Sequence, residues 1–508
     1  MNRLLICSSF LLLIVPFSFA QSPPPDCLRA DTFSGIDMGA KINAAVAQIA
    51  NATLKKGCIL VPQGDFSIGT PVSSRYWNGT NYIYTEIKLK GAGRAATSLQ
   101  FNNTISAPAI YLSQGALPVP DISRFEISDM TIQNQSTTQD TIQIDSIMDA
   151  PNLVHDVFIY GGARGLVVQG GANQDAFTNM SIFNTFNEAV YEDITTGGGH
   201  VNTNILVGAP SGVSTAAGFH VVSTANASST GGVYLNQVQV FSSTTQQFAN
   251  AFKFENTSGT RNSFFAFCNV CVADGTYGSD GFLFKNASAI QISDSWSVNH
   301  QASTSAAAWK FDNSANINMS NCEGYSTGQG DLAFVNSTSD ATILGGTFNG
   351  TNTSIFMDTT NKPARIHILG VSLTAQTAQI NDKATYLSAT QDPLQTGPLR
   401  AFFGSINTLN DWVFQNIDSG AVTPKKYLRV SSGGGLELIN DAHNAVIFSV
   451  DDQGGLTLGS ITYSALASFF PASGTMIYCT DCQMTVPCAG SGSGAIARRI
   501  NGVGWTCN

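Results

Sequence analysis

The sequence predicts an all-β chain built as a parallel solenoid, and three observations carry that prediction. Short apolar strands recur along the middle of the chain, a second strand family is interleaved with the first at the same period, and the composition favours strands and tight turns over helices. Of 508 residues, 43% are hydrophobic and 11% charged, with 48 glycines. Most of the remaining polarity is Asn, Ser, Thr and Gln, a mixture suited to stacked strands and turns. The net charge of −10 argues against a nucleic-acid partner, whose binding needs clustered Lys and Arg. No apolar run is long enough to predict a membrane span.

In chain order, the first segment combines Arg3, an apolar run ending at Phe19 and the small residue Ala20. That layout predicts a secretory signal peptide over residues 1–20 and a secreted or cell-surface protein. Removing Cys7 leaves nine cysteines, an odd number that cannot pair completely even in an oxidising compartment.

The repeat occupies the middle. Aligned strands begin at Asp129, Asp156, Asn179, Asn204, Gln237, Asn269, Asp294 and Asn321, at intervals of 27, 23, 25, 33, 32, 25 and 27 residues. Between them runs a second series: "GLVVQG", "AVYEDI", "GFHVVS", "AFKFEN", "GFLFKN", "AWKFDN", "LAFVNS" and "SIFMDT". Two interleaved families at one period make each repeat a coil. Alternation along a strand sends Phe252 and Phe254, or Trp309 and Phe311, to one side and Lys253 and Lys310 to the other. Asp129 therefore reads as a rung of a polar turn ladder, because Asn and Asp tolerate the turn conformations required.

Near the start, "GIDMGAKINAAVAQI", "CILVPQGDFSI" and "IKLKGAGRAATSLQF" resemble the N-terminal signature of secreted pectate lyase superfamily or epimerase-like proteins. The resemblance implies a right-handed parallel β-helix capped by an N-terminal helix, here 38–50 with Ile42, Val46 and Ile49 as its buried stripe. It further implies a Pro-x-Gly-x-aromatic turn at Pro62, Gly64 and Phe66. The Gly-rich "KGAGRAAT" lacks the Gly-Lys-Ser/Thr ending of a phosphate loop and reads as strand and turn. The expected organisation is a β-helix over 27–390, a β-rich module over 397–460 and a Cys-containing tail over 461–508. C-terminal modules of this kind can trimerise in tailspike-like proteins, so a homo-trimer is an expectation. The tail's Cys479, Cys482, Cys488 and Cys507 predict two disulfides more readily than a zinc site, with three pairings open.

Two functions follow. One is a polysaccharide lyase or glycoside hydrolase acting on an acidic or plant-type polysaccharide, with no metal site assigned and calcium as a cofactor only should it be a lyase. The other is a non-catalytic, tailspike-like carbohydrate-binding or adhesive protein. Hydrolysis needs two carboxyl groups facing one sugar, whereas elimination from a uronate needs a base and a cation near C5. The Asn-Thr-Asp, Asp-Asp and Gly-His-Gly segments that mark the superfamily's hydrolase branch are not matched; "GGGHVNTN" comes nearest. The richest ionisable cluster supplies the catalytic candidates Glu188, Glu192, Asp193 and His200. Substrate-binding candidates are Arg164, Asp175, Lys253, Lys285 and Lys310. The competing reading makes Glu192 an outward strand position equivalent to Glu255, Lys285, Asp312 and Asp358, with the charges as surface ion pairs worth about 0–1 kcal/mol each.

Overall fold

The computed structural model describes residues 27–113, 125–145, 152–169, 175–195, 199–224, 232–300, 304–358, 363–369, 371–373 and 378–382, and in the C-terminal part 412–415, 425–431, 434–440, 445–466, 474–501 and 504–508. The expected signal peptide lies outside the described residues.

Each coil of the stack contributes to two parallel sheets, one of 20 strands and one of 12 among the described residues. A typical coil runs through Leu153–Gly161 in the larger sheet, turns, and continues through Leu166–Gln169 in the smaller one. The following coil repeats this with Ala176–Phe183 and Val190–Asp193. Register is direct: Ser128 pairs with His155 and His155 with Thr178, so residues 129, 156 and 179 stack in adjacent coils. The architecture is a parallel β-helix, with strands from Cys27 to Asp382.

Identical positions on successive coils fall in line, so the interior fills with columns of like side chains. Phe219, Phe252, Phe282 and Trp309 form one, with ring centroids 6.1, 4.3 and 4.0 Å apart. Phe254, Phe284, Phe311 and Phe334 form another, at 4.8, 5.3 and 5.5 Å. All eight are fully buried. The helix Met38–Ala50 covers the open end of this core with Ile42, Ala45, Val46 and Ile49. Asp37 starts it by accepting from the Ala40 amide, and its other oxygen accepts from Gly69 and Thr70, tying the cap to the first coils.

The "KGAGRAAT" segment is strand, turn and strand, over Glu86–Lys90 and Thr97–Phe101. Gly91 is required there because a Cβ would lie 2.2 Å from the Asp129 carbonyl oxygen of the next coil. Glycine 64 opens the turn before Phe66 at φ +142.

The polar rungs sit in the left-handed region: Asp129, Asp156, Asn179, Asn204, Gln237, Asp294 and Asn321 have φ between 49 and 59. Their side chains hydrogen-bond along the stack, Asn179 to Asp156 at 3.2 Å and Asn204 to Asn179 at 2.8 Å. One rung differs from the sequence alignment. The left-handed residue between Gln237 and Asp294 is Val270, not Asn269; Asn269 stands opposite Asn236 and Ser293 and bonds to both at 2.9 Å. A β-branched residue is unfavourable at positive φ, and choosing the amide over the valine misplaced this rung by one position. A second ladder, not recognised in the sequence, runs through Asn286 and Asn313, also left-handed and bonded at 2.8 Å. Asn179→Ala should lower stability by roughly 1–2 kcal/mol, since it places a Cβ-bearing residue without local hydrogen bonds in this conformation. Urea titration of the variant beside Asn179→Gly, which should cost less, checks this.

Cys27 pairs with Cys58 across neighbouring strands, and the tail pairs Cys479 with Cys482 and Cys488 with Cys507. Cys268, Cys271 and Cys322 are buried free thiols, in keeping with the two-coil separation that the period places between Cys271 and Cys322. Burial drives the Cys322 thiol up to about 12 and Cys271 well above its ordinary value. Iodoacetamide should leave all three unlabelled in the native protein and label all three after denaturation; labelling of native Cys322 would contradict this packing.

Beyond the coils, Trp412–Gln415, Lys425–Val430, Leu436–Ile439, Val446–Val450 and Leu456–Leu458 form an antiparallel five-stranded sheet. The tail forms a four-stranded sheet around the buried tail cysteines and Trp505.

Candidate functional site

The coil register separates the sequence-named residues into an interior group, a group on the outer face of the smaller sheet, and a remainder with local partners.

Glu192, His200 and Asp175 belong to the interior. Glu192 is aligned with Val168 and Val221, and Val221 with Phe254, so it occupies the core column rather than an outward position. The outward residue equivalent to Glu255 and Lys285 is Asp193, through Val222. Glu192 Oε2 lies 3.1 Å from His200 Nδ1, and Asn202 Nδ2 donates to Glu192 Oε1 at 3.0 Å. The His200 ring meets Phe177 edge-on at 6.4 Å. Asp175 Oδ1 accepts from the Asn152 amide and side chain, at 2.9 and 2.7 Å. Asp175 Oδ2 and Asn202 Oδ1 make no hydrogen bond among the described residues. Burial raises the Asp175 carboxyl to about 6, against the pull of His200 and the Asn152 donors. Since Asp175, Glu192, His200 and Asn202 are all at 0% exposure, no polysaccharide can touch them. The catalytic expectation for Glu192 and His200, and the binding expectation for Asp175, are corrected accordingly. The sequence reading treated ionisable side chains as exposed ones, but here they satisfy one another inside a coil.

Asp193 folds back on its own turn, accepting from the Thr195 amide at 2.9 Å and hydroxyl at 2.5 Å. Lys310 lies 3.7 Å from the buried Asp280 and donates to the Ser305 carbonyl at 3.1 Å. Lys285 is exposed.

Arg164, Glu188 and Lys253 do converge, on the outer face of the smaller sheet. The outward row there reads Gln143, Val167, Tyr191, His220, Lys253 and Leu283 on successive strands. Arg164 makes a two-pronged pair with Asp140 at 2.9 and 2.7 Å, and its guanidinium carbon lies 4.9 Å from the Tyr191 ring centre. The Tyr191 ring abuts His220 edge-on at 5.5 Å. His220 Nδ1 lies 3.4 Å from Glu188 Oε1 and Nε2 lies 3.0 Å from Glu255 Oε1, to which Lys253 also donates at 2.6 Å. Only an imidazolium donates from both ring nitrogens, and the two carboxylates raise the His220 pKa despite its burial. Glu188 is held below the usual carboxylate range and Glu255 at about 2; burial opposes both shifts, and the hydrogen bond from His220 leads the forces that overcome it. Tyr191, His220 and Asp140 were missed in the sequence, and Glu255 was named there only as an outward, ion-pairing position. Their signal was the alternation itself, because Val190 and Glu192 inward force Tyr191 outward, but Glu192 rather than Asp193 was taken as the outward equivalent of Glu255.

Among the described residues the one His/Cys/Asp/Glu group close enough to share an ion is Cys479, Asp481 and Cys482, whose two thiols are joined in a disulfide. No helix among the described residues is long and apolar enough to cross a membrane.

The coil geometry is that of a parallel β-helix. No family model matches the chain, and no curated protein matches it in sequence. Among solved structures it is similar to the A-module of Azotobacter vinelandii mannuronan C-5 epimerase AlgE4, at 13% identity and TM-score 0.48, over 70% of this chain and 99% of that one. It is also similar to the catalytic unit of a GH87 α-1,3-glucanase from Streptomyces thermodiastaticus, at 10% identity and TM-score 0.43, over 72% and 71% of the two chains. The Siphovirus 9NA tailspike receptor binding domain matches at 8% identity and TM-score 0.38, over 95% and 98%. These are likenesses of chain course, and no residue role follows from them.

Proposed function

We propose that the chain is an exported protein that acts on an acidic polysaccharide laid across the outer face of the smaller sheet, by elimination or epimerisation at a uronate. The observation that carries this reading is Tyr191, half-buried on the outer face of the smaller sheet and flanked by the Arg164 guanidinium at 4.9 Å and the His220 ring at 5.5 Å. Arg164, Lys253 and the exposed Lys285 would neutralise sugar carboxylates from coils stacked about 4.8 Å apart. The His220 imidazolium would stabilise the charge that develops as the C5 proton passes to the ionised Glu188 carboxylate, and the Tyr191 hydroxyl would donate a proton to the departing glycosidic oxygen in elimination or back to C5 in epimerisation. Hydrolysis at this face is disfavoured, because Glu188 and Glu255 are both held ionised and neither can serve as the carboxylic acid that such a reaction needs. Export is supported by the leader-like first 20 residues and by the three disulfides, which belong to oxidising compartments.

A second reading, non-catalytic binding, is favoured by one observation: Arg164, His220 and Lys253 each already hold a carboxylate partner. Incubation with polygalacturonate, alginate and hyaluronan separates the two, with ultraviolet absorbance reporting unsaturated uronates and proton NMR reporting epimerised ones. Tyr191→Phe and His220→Asn should each reduce turnover by about 100-fold or more while the folded state persists. Binding of these polymers without product, unaltered in Tyr191→Phe, would establish the second reading.

Self-association is proposed through the five-stranded C-terminal sheet. Val430, Leu436, Val446 and Leu456 are exposed there, and among its described side chains Ile439 alone is a buried apolar one. A sheet needs a covered face to be stable, and two further copies of the chain would supply it. Light scattering should give a trimer for the full chain and a monomer for Val430→Glu/Leu456→Glu; a monomeric wild type would refute it.

A further inference from the structure

A second saccharide-binding site, unrelated to the acidic-polymer face, is assigned by a cleft on the larger sheet. It has a volume of about 390 Å³ and is lined by Asp274, Trp296, His300, Glu323 and Tyr325 among others. Register brings these residues together from three coils. Trp296 stands opposite Val272 on one side and Glu323 on the other, while Asp274, Val298 and Tyr325 form the parallel row two residues on. Alternation points both rows outward.

Three features give the cleft the chemistry of a sugar site. Trp296 is a flat ring 37% exposed on a strand, although neighbouring core columns bury aromatic rings completely. Tyr325, on the next coil, is fixed against His300 with ring centres 5.3 Å apart and planes inclined at 55°. Trp296 and Tyr325 thus line one cleft from adjacent strands, which suits stacking against the apolar faces of consecutive sugar rings. The backbone beneath is anchored, since the buried Trp309 indole donates to the Glu323 carbonyl at 3.0 Å. Asp274 and Glu323 carry carboxylates that no cation pairs among the described residues, so their oxygens are open to accept from sugar hydroxyls.

The charge of the cleft selects the ligand. Among the described residues its lining contains no Lys or Arg, and two carboxylates would repel uronates. We propose that it binds a neutral hexose polymer, with Trp296 and Tyr325 as stacking platforms and Asp274 and Glu323 as hydroxyl acceptors. This site neither uses nor requires the Tyr191–His220 face.

The test titrates the full-length protein with cellohexaose, laminarihexaose, maltohexaose, a hexameric oligogalacturonate and a chitosan hexamer, by calorimetry. At least one neutral hexaose should bind. Trp296→Ala should weaken it tenfold or more, Trp296→Phe less, and Glu323→Gln severalfold, with circular dichroism melts confirming that each variant folds. Arg164→Ala should leave this binding unchanged, so failure here and failure of the acidic-polymer reading remain distinguishable. No binding by any neutral hexaose, unaltered binding in Trp296→Ala, or preference for the oligogalacturonate or the chitosan hexamer would overturn the assignment.

Discussion

His200→Ala is expected to lower the unfolding free energy by about 3–5 kcal/mol while leaving turnover per folded molecule unchanged. The imidazole is fully buried and faces Glu192 Oε2 at 3.1 Å. Removing it leaves a carboxylate inside the core with the Asn202 amide as its remaining described donor. A buried acceptor left short of its partner costs the desolvation that its hydrogen bond had offset. The vacated volume beside Phe177 adds a cavity penalty. His200→Gln, which keeps a donor in roughly the same place, should recover part of the loss. Urea unfolding at neutral pH measures both variants. A change under about 1 kcal/mol together with abolished activity would restore His200 to the chemistry and overturn the interior assignment. The outcome reverses what the sequence alone suggests, where exposed ionisable residues can be replaced at little cost to stability.

Why the fold was legible and the site only in part follows from what each depends on. A coil is set by local alternation and by a period of 23 to 33 residues, and both can be read from strings such as "AFKFEN" and "GFLFKN". Their phenylalanines stack as the alternation requires. The rungs at Asp129, Asp156 and Asn179 were equally clear, because a left-handed turn residue without glycine is chemically restricted. A site instead depends on register to the single residue, since one step exchanges interior for surface. "AVYEDI" contains two acidic residues and one aromatic; placing Glu192 outward hid Tyr191 and sent attention to a buried carboxylate. Val270 shows the same sensitivity. His220 and Glu255 lie 35 residues apart on strands that the aligned "GFHVVS" and "AFKFEN" set side by side, but the alignment does not say which outward side chains bond to one another. Trp296 and Glu323 each lie two residues past a ladder rung, Asp294 and Asn321, and nothing local distinguishes an outward tryptophan from an inward one when the strand has only four residues.

Asp175→Asn should leave stability nearly unaltered in acid and raise it relative to the wild type near neutrality. The folded-state pKa of Asp175 is about 6, raised from 3.8 chiefly by burial, so the native state holds this proton more tightly than the unfolded chain. Its contribution to stability is therefore fully present below about pH 4 and is lost as pH rises through about 6. Two pH units at 1.36 kcal/mol each put the loss at roughly 3 kcal/mol by neutral pH. Three groups face the carboxyl: His200 favours its ionised form, Glu192 opposes it, and Asn152 donates to Oδ1 at 2.9 and 2.7 Å. An asparagine retains an oxygen for the Asn152 donors and places a neutral NH2 where Oδ2 now makes no hydrogen bond among the described residues. Having no proton to lose, the variant escapes the penalty. Urea titrations of wild type and variant at about pH 4, 5.5 and 7.5 should show the stability difference growing toward the variant by up to about 3 kcal/mol. A difference that is flat across this range would mean that Asp175 keeps its proton throughout, or that His200 compensates its charge fully. In either case the interior cluster would be electrostatically balanced rather than strained.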